Sequence, residues 1–373
     1  MARILITATV QSHIAQFHKP VIRMLQNMGH EVDVAAKNNL SQKKNLTLTE
    51  PNHIYPVEFC RSPFSFRLIP AYRQLKKVIA AGNYDIVHCN TPVAGILTRL
   101  CCRKLRRQGK VKVLYEAHGL HFFKGGPKTG WLIWYPIERF FSRYADMMIL
   151  INQMDYALAR EKFHTKMIRR IPGIGVNLSQ FQTVEGGDLR RELSIPAEAP
   201  LVVSVGELNK NKNHKSVIEA MALLENKQAH YCIAGNGPLL QQLQALAKKL
   251  HIADRVHFLG YRRDVPAILR QADIFVLPSR REGLGMAAIE AMYSGLPLVS
   301  SNRHGINDYS IGGVTGFKHD PDDSRGFAES IDRLLRDEPL RKQLGDNCRE
   351  VAREFTLEES LRHMKAYYQE LMK

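Results

Sequence analysis

Two glutamates eight residues apart, Glu282 and Glu290, bracket a glycine-bearing turn in the stretch SRREGLGMAAIEAMYSGLPLVSS, Ser279 to Ser301. The turn, RREGLG, follows a buried-strand pattern, IFVLPS, and leads into GMAAIEAMYSG, a helix pattern closed by Gly295. Glycines let backbone N–H groups approach a ligand closely, and a helix start adds partial positive charge. Gly283, Leu284, Gly285 and Met286 therefore suit a diphosphate. Carboxylates repel phosphate, but they accept hydrogen bonds from hydroxyls well. The chemistry that accommodates both is a sugar nucleotide, with one glutamate on the sugar and the other on the ribose.

Two further strand-to-helix turns have a similar build. SVGELNKNKNH puts Gly206 at a strand end and Lys210 and Lys212 just ahead of the helical KSVIEAMALL, where Lys212 can neutralise a diphosphate directly. IAGNGPLLQQL puts Gly235, Asn236 and Gly237 at another strand end. No DxD stands at a strand end to hold a divalent metal. HDPDDS contains Asp320, Asp322 and Asp323, but its place before the helical GFAESIDRLL reads as a capping turn. Neither a metal nor a cofactor is expected, and the leaving diphosphate would be met by Lys212 and the amides of Gly283 to Met286.

These turns need a scaffold of strands alternating with helices. In the first half, ARILITAT, EVDVAAK, IYPVEF, YDIVHCN, KVLYEAH and MMILIN read as strands. After IRRIPGIGVNLSQF and the glycine-bearing VEGGDLRREL, the alternation restarts with LVVSVG, AHYCIAG, RVHFLG, IFVLPS and LPLVSS. The fold class is α/β, with two Rossmann-like parallel-sheet domains. The chain of 373 residues exceeds one ordinary hydrophobic core. Domains are expected over 1–178 and 179–355, the join falling near 172–190. A last helix, 356–373, is expected to pack back on the first domain, with Thr356 as N-cap and Glu359 at capping-box spacing. Open parallel sheets bind ligands at the carboxyl ends of their strands, so function is expected in a cleft between the two domains.

Composition, 45% hydrophobic and 24% charged, is that of a globular chain and excludes disordered and fibrous classes. No run reaches the roughly 20 apolar residues of a membrane-spanning helix. MARILITATV enters a strand pattern directly, without the parts of a secretory signal, so a cytoplasmic location is expected. The six cysteines form no CxxC pair, which leaves them as buried or idle thiols.

The net charge of +17 is one-sided, because residues 1–180 hold 27 basic and 10 acidic residues while the remainder is neutral. An excess of this kind suits an anionic partner, a membrane surface or a nucleic acid. RSPFSFRLIPAYRQLKKVI and GWLIWYPIERFFSRYAD mix aromatic with basic residues, as an element lying in a membrane interface does, although aromatics at helical spacing also serve a core. No RNA- or DNA-binding signature accompanies the charge, which favours the membrane over nucleic acid. KVLYEAHGL places His118 and Gly119 at a strand end. QSHIAQFHKPVIRMLQNMGHEV stands where a dinucleotide-binding domain has GxGxxG, which disfavours a dehydrogenase. His13, His18 and Lys19 in it, with His88 of HCNTP, are candidate acceptor contacts.

Taken together, EGLGMAAIEAMYSGLPLV, VGELNKNK, AGNGP and GVTGF resemble the retaining glycosyltransferases of family 4, which have the two-domain GT-B fold. HCNTPVAGILTRL and EAHGLHFFKGGP resemble in particular the bacterial enzymes of capsular and exopolysaccharide assembly. The resemblance spans the whole chain. It implies that Glu282 contacts the transferred sugar, Glu290 holds the ribose, Lys212 meets the donor diphosphate and His118 lies near the sugar. It implies retention of anomeric configuration, with the departing phosphate taking the acceptor proton in a front-face route. The expected donor is a nucleotide sugar, UDP-linked, and the expected acceptor a polyprenyl-diphosphate-linked glycan presented at an anionic membrane surface. Two positions depart from the family pattern: Glu207 replaces a phosphate-neutralising arginine, and Asn90 stands where a second histidine is frequent. A UDP-sugar 2-epimerase of the same fold is the alternative, since it binds a donor but needs no acceptor. A basic nucleic-acid-binding module is the third reading.

Overall fold

A computed structural model describes residues 1–42, 46–60, 62–181 and 187–373. Arg61 of the first aromatic-basic segment and Val184 to Gly186 of the glycine-bearing segment lie outside the described residues. The chain divides into two compact units, Met1–Ile174 with Glu358–Lys373, and Gly175–Leu357. All of the excess positive charge belongs to the first unit.

The first unit is built on seven strands, β1 Arg3–Val10, β2 Glu31–Lys37, β3 Ile54–Pro56, β4 Ile86–Asn90, β5 Lys112–Ala117, β6 Met147–Leu150 and β7 Met167–Arg170. They are parallel and ordered β3-β2-β1-β4-β5-β6-β7. Their apolar runs are buried on both sides of the sheet, as helix-covered parallel strands must be. Met364, Tyr368 and Leu371 of the last helix, Leu357–Met372, join one of those cores. Arg169 on β7 pairs with Glu370 of the same helix.

The second unit carries β8 Leu201–Val205, β9 His230–Ala234, β10 Val256–Gly260, β11 Ile274–Leu277, β12 Leu298–Ser301 and β13 Gly316–His319. The order is β10-β9-β8-β11-β12-β13, again parallel. In each unit the first strand lies inside the sheet, and the chain winds outward from it in both directions. The reversal falls between β1 and β4 in one unit and between β8 and β11 in the other. At such a point the loops leaving neighbouring carboxyl ends diverge and leave a crevice for a ligand.

Sequence patterning misses two strands, β7 and β13. Both lie at a sheet edge, and MIRR and GFKH are short and only partly buried, without the continuous apolar run that marks an interior strand. IYPVEF is strand only over Ile54–Pro56. Val57 and Phe59 beyond it are nevertheless buried in the core.

Candidate active site

The loops leaving β8 and β11 are laced together. The Arg280 amide donates to the Asn211 carbonyl at 2.8 Å, and the Asn211 side-chain amide donates to the Arg281 carbonyl at 2.9 Å. Across this seam the Lys212 ammonium donates to Glu282 Oε1 at 2.7 Å, both side chains being mostly buried. Two residues taken from separate motifs, a cation for phosphate and a carboxylate for sugar, thus form an ion pair with each other.

The glycines explain how the seam closes. The aliphatic part of Lys212 runs over Gly206, where an added Cβ would lie 3.2 Å from its Cε. A Cβ on Gly235 would lie 1.9 Å from the Gly206 carbonyl oxygen, and one on Gly237 would lie 2.4 Å from that of Leu208. The β9 loop therefore lies directly against the β8 loop, and Asn236 between the two glycines accepts the Leu208 amide at 3.0 Å through its carbonyl. Gly285 has φ +92°, and its Cβ would sit 2.6 Å from the Tyr309 hydroxyl and 3.4 Å from Glu282 Cγ. Gly283 and Glu282 are in turn crossed by Gly305, whose amide donates to the Glu282 carbonyl at 3.1 Å. Leu284 is buried and anchors the turn in the core.

Glu290 lies on the helix Met286–Tyr293. Met286, Ala287, Glu290 and Tyr293 are partly open, whereas Ala288, Ile289, Ala291 and Met292 are buried. Positions i, i+1, i+4 and i+7 share one face of a helix, so Glu290 projects from the open face that begins at Met286. Its carboxyl has no hydrogen-bonding or ionic partner among the described residues, and burial pushes its pKa up to about 7. Lys210 and Glu207 are exposed. Lys212 is the lysine held in the seam. Asp323 caps the helix Ser324–Arg336 by accepting the Gly326 amide at 2.9 Å, while Asp322 and Asp320 pair with Arg280 and Arg303. The aspartates of HDPDDS are accordingly engaged as caps and ion pairs.

A second polar cluster lies in the first unit, at the carboxyl ends of β1, β4 and β5. His118 Nε2 faces Asn90 Oδ1 at 3.1 Å and Glu116 Oε1 at 3.6 Å. The other Glu116 oxygen is 3.1 Å from His88 Nε2, and His88 Nδ1 meets the Tyr368 hydroxyl at 2.7 Å. Glu116 is 1% exposed, and the histidines around it hold its carboxyl down at about 2 in spite of burial. His13 and His18 complete the group, their rings 4.7 and 5.4 Å from that of His118. Lys19 turns away to Glu50 and Thr47. Where the family has a second histidine, Asn90 supplies the acceptor facing His118. Thr91, next along the chain, has φ +62°, an unfavourable value for a β-branched residue, and is held by Thr9 through 2.8 and 3.1 Å hydrogen bonds.

Two family models match the chain, Glycosyl transferase 4-like over residues 3–152 and Glycosyl transferases group 1 over 187–351. A Bacillus subtilis protein named as a glycosyltransferase, EpsD, is 38% identical over 99% of this chain and 97% of its own length. The chain is a family 4 glycosyltransferase of the GT-B fold. An Escherichia coli relative, the UDP-Gal:alpha-D-GlcNAc-diphosphoundecaprenol alpha-1,3-galactosyltransferase, is 30% identical over 76% of the chain and 73% of its own length. Among solved structures, HepE of Anabaena in complex with UDP and glucose superposes with a TM-score of 0.77 at 18% identity, covering 99% of this chain and all of that one. That likeness establishes the fold. In this glycosyltransferase, sequence reasoning missed Glu116 and Tyr309. Glu116 was readable as a charge inside the apolar strand KVLYEAH, two residues before His118 and therefore on the same strand face. Tyr309 gave no local signal. Its hydroxyl is fully buried without a partner among the described residues, and its pKa is pushed well above the usual tyrosine value by burial and by Glu282.

Proposed function

We propose that this glycosyltransferase moves a sugar from a UDP-linked donor to a polyprenyl-diphosphate-linked glycan, with retention of anomeric configuration and without a metal, in building an exopolysaccharide or capsule. The observation that carries the reading is the Lys212–Glu282 pair at the β8/β11 switch point, with an unpartnered carboxyl on the helix that follows. An incoming diphosphate takes Lys212 and the amides of Gly283 to Met286. Glu282, released from the lysine, grips the hydroxyls of the transferred sugar. Glu290 accepts the ribose hydroxyls, and Gly206, Gly235, Asn236 and Gly237 keep the neighbouring loops low enough for the nucleotide. As the glycosidic bond to the donor breaks, charge grows on the departing phosphate. Lys212 and the amides stabilise it there, and one such donor is worth roughly 10²–10³ in rate. The departing phosphate takes the acceptor proton.

His118 supports the sugar, and His13, His18 and His88 of the same cluster are the acceptor-side candidates, while Lys19 is held by Glu50 and Thr47. The Escherichia coli relative's name specifies UDP-Gal and a diphosphoundecaprenol acceptor, which favours the same pair of substrate classes here. No helix among the described residues is long and apolar enough to cross a membrane. The lipid acceptor is instead met at an anionic surface on the cytoplasmic face. Phe64, Phe66 and Ile69 in one segment and Leu132 and Phe140 in the other are exposed beside Arg67, Arg73, Arg139 and Arg143. Trp131, Trp134 and Tyr135, by contrast, pack on the core. Incubating the purified protein with a panel of nucleotide sugars, with and without a membrane lipid extract, tests the reading. Nucleotide release with one UDP-sugar, dependent on the extract, is expected. Interconversion of UDP-sugars without lipid would instead assign an epimerase.

A further inference from the structure

His13, His18 and His118 each place one ring nitrogen within 4.8 Å of the others. They come from the helix Gln11–Phe17, the residue that follows it and the end of β5. Their grouping is therefore set by the tertiary fold. His18 is 1% exposed, and among the described residues neither of its ring nitrogens has a hydrogen-bond partner; His13 Nε2 is likewise buried and unpaired among them. A buried polar atom without a partner is costly and calls for a ligand or a water. His118 differs, because its Nε2 is turned toward Asn90 Oδ1 and Glu116 Oε1. A carboxylate at one imidazole nitrogen is the outer-shell feature that orients a histidine for metal binding through the other.

We propose that His13, His18 and His118 form a binding site for one borderline-soft divalent first-row metal ion, zinc being the best fit. Three imidazoles suit such a metal, and three protein nitrogens leave a fourth position open. The ring nitrogens need to close by about 1 Å to meet the ~2.0–2.1 Å bond length of zinc to histidine, a movement within the reach of side-chain torsions. His13 and His118 are partly exposed and give the ion a way in. The site is distinct from the donor diphosphate, which Lys212 and backbone amides serve. Its effect on transfer rests on the function proposed above: a metal that ties down His118 withdraws it from the sugar, so zinc inhibits and a chelator restores activity.

The test uses the full-length, untagged, chelator-treated protein, titrated with Zn²⁺ against a chromophoric chelator in the absence of donor and acceptor. One Zn²⁺ per chain is expected, and Co²⁺ in its place should give the visible absorption of a tetrahedral nitrogen site. His13→Ala and His118→Ala should each abolish stoichiometric binding. Glu116→Gln, which keeps the shape of the outer shell and removes its charge, should weaken it by roughly 10–100-fold. His230→Ala, at the paired histidines His230 and His257 of the second unit, should leave it unchanged. Circular dichroism confirms that each variant is folded. Absence of stoichiometric binding, or binding that persists in folded His13→Ala and His118→Ala proteins, overturns the site. Stoichiometric binding that leaves transfer unaltered upholds the site and removes His118 from the reaction.

Discussion

Replacing Glu290 by Gln should make the ligand-free protein more stable above neutral pH while weakening its hold on nucleotide. The carboxyl is sheltered without a partner among the described residues, and burial raises its pKa from the ordinary 4.5 to about 7. In the unfolded chain it releases its proton near 4.5, so between those values the folded state binds more protons and stability falls as pH rises. Below that window the neutral acid incurs no penalty, and above it the ionised form incurs the full one. At about 1.36 kcal/mol per pH unit, the penalty approaches roughly 3 kcal/mol. Gln has the same shape and no charge, so the variant escapes it. In a unit of this size the gain corresponds to several degrees, at roughly 2–4 °C per kcal/mol. Melting temperatures of both proteins at about pH 4 and about pH 8 measure the effect. The variant should match the parent at the lower pH and exceed it at the higher one, and added UDP should reverse the order by stabilising the parent more. Equal or lower stability of the variant at the higher pH would refute the argument that this carboxyl is held ready, at an energetic cost, for a ligand that donates hydrogen bonds.

Gly285→Ala should lower activity and melting temperature together, because φ +92° disfavours a side chain and the Cβ would lie 2.6 Å from the Tyr309 hydroxyl. The loss should be about 1 kcal/mol or more, measured by urea unfolding beside initial rates. Transfer activity should survive exhaustive EDTA treatment, since Lys212 and backbone amides meet the leaving diphosphate; strict dependence on added Mg²⁺ or Mn²⁺ in a rate assay would contradict this. Changing Phe64, Phe66 and Leu132 to Ser should release the protein from vesicles rich in anionic lipid without changing donor binding. Raising salt should do the same, as surface charges are screened within about 8–10 Å near physiological ionic strength.

The interior strands were readable because buried parallel strands must be apolar throughout, and the turns after β8, β9 and β11 because glycine marks close approach of backbones. Strands β7 and β13 were not, since MIRR and GFKH are short, partly exposed and interrupted by basic residues. Within the second unit, Glu282 and Lys212 could be named from spacing. Their mutual ion pair could not, because it depends on β8 and β11 being neighbours in the sheet while 70 residues separate the pair in the chain. The same holds for the histidine cluster of the first unit. His13, His18, His88 and His118 stand out individually in the sequence, but Glu116 between them, and the Tyr368 hydroxyl reaching His88 from the last helix, belong to the packing. Tyr309 is the extreme case, since nothing near it in the chain announces that its hydroxyl lies under Gly285.

The central claim is that one glutamate holds the sugar and the other the ribose of the same donor. Calorimetric titration of the parent, Glu282→Gln and Glu290→Gln proteins with UDP and with the UDP-sugar that supports transfer tests it directly. Glu282→Gln should bind UDP like the parent but lose the added affinity contributed by the sugar, and Glu290→Gln should bind both ligands weakly. Parent-like binding of the UDP-sugar by both variants would contradict the account.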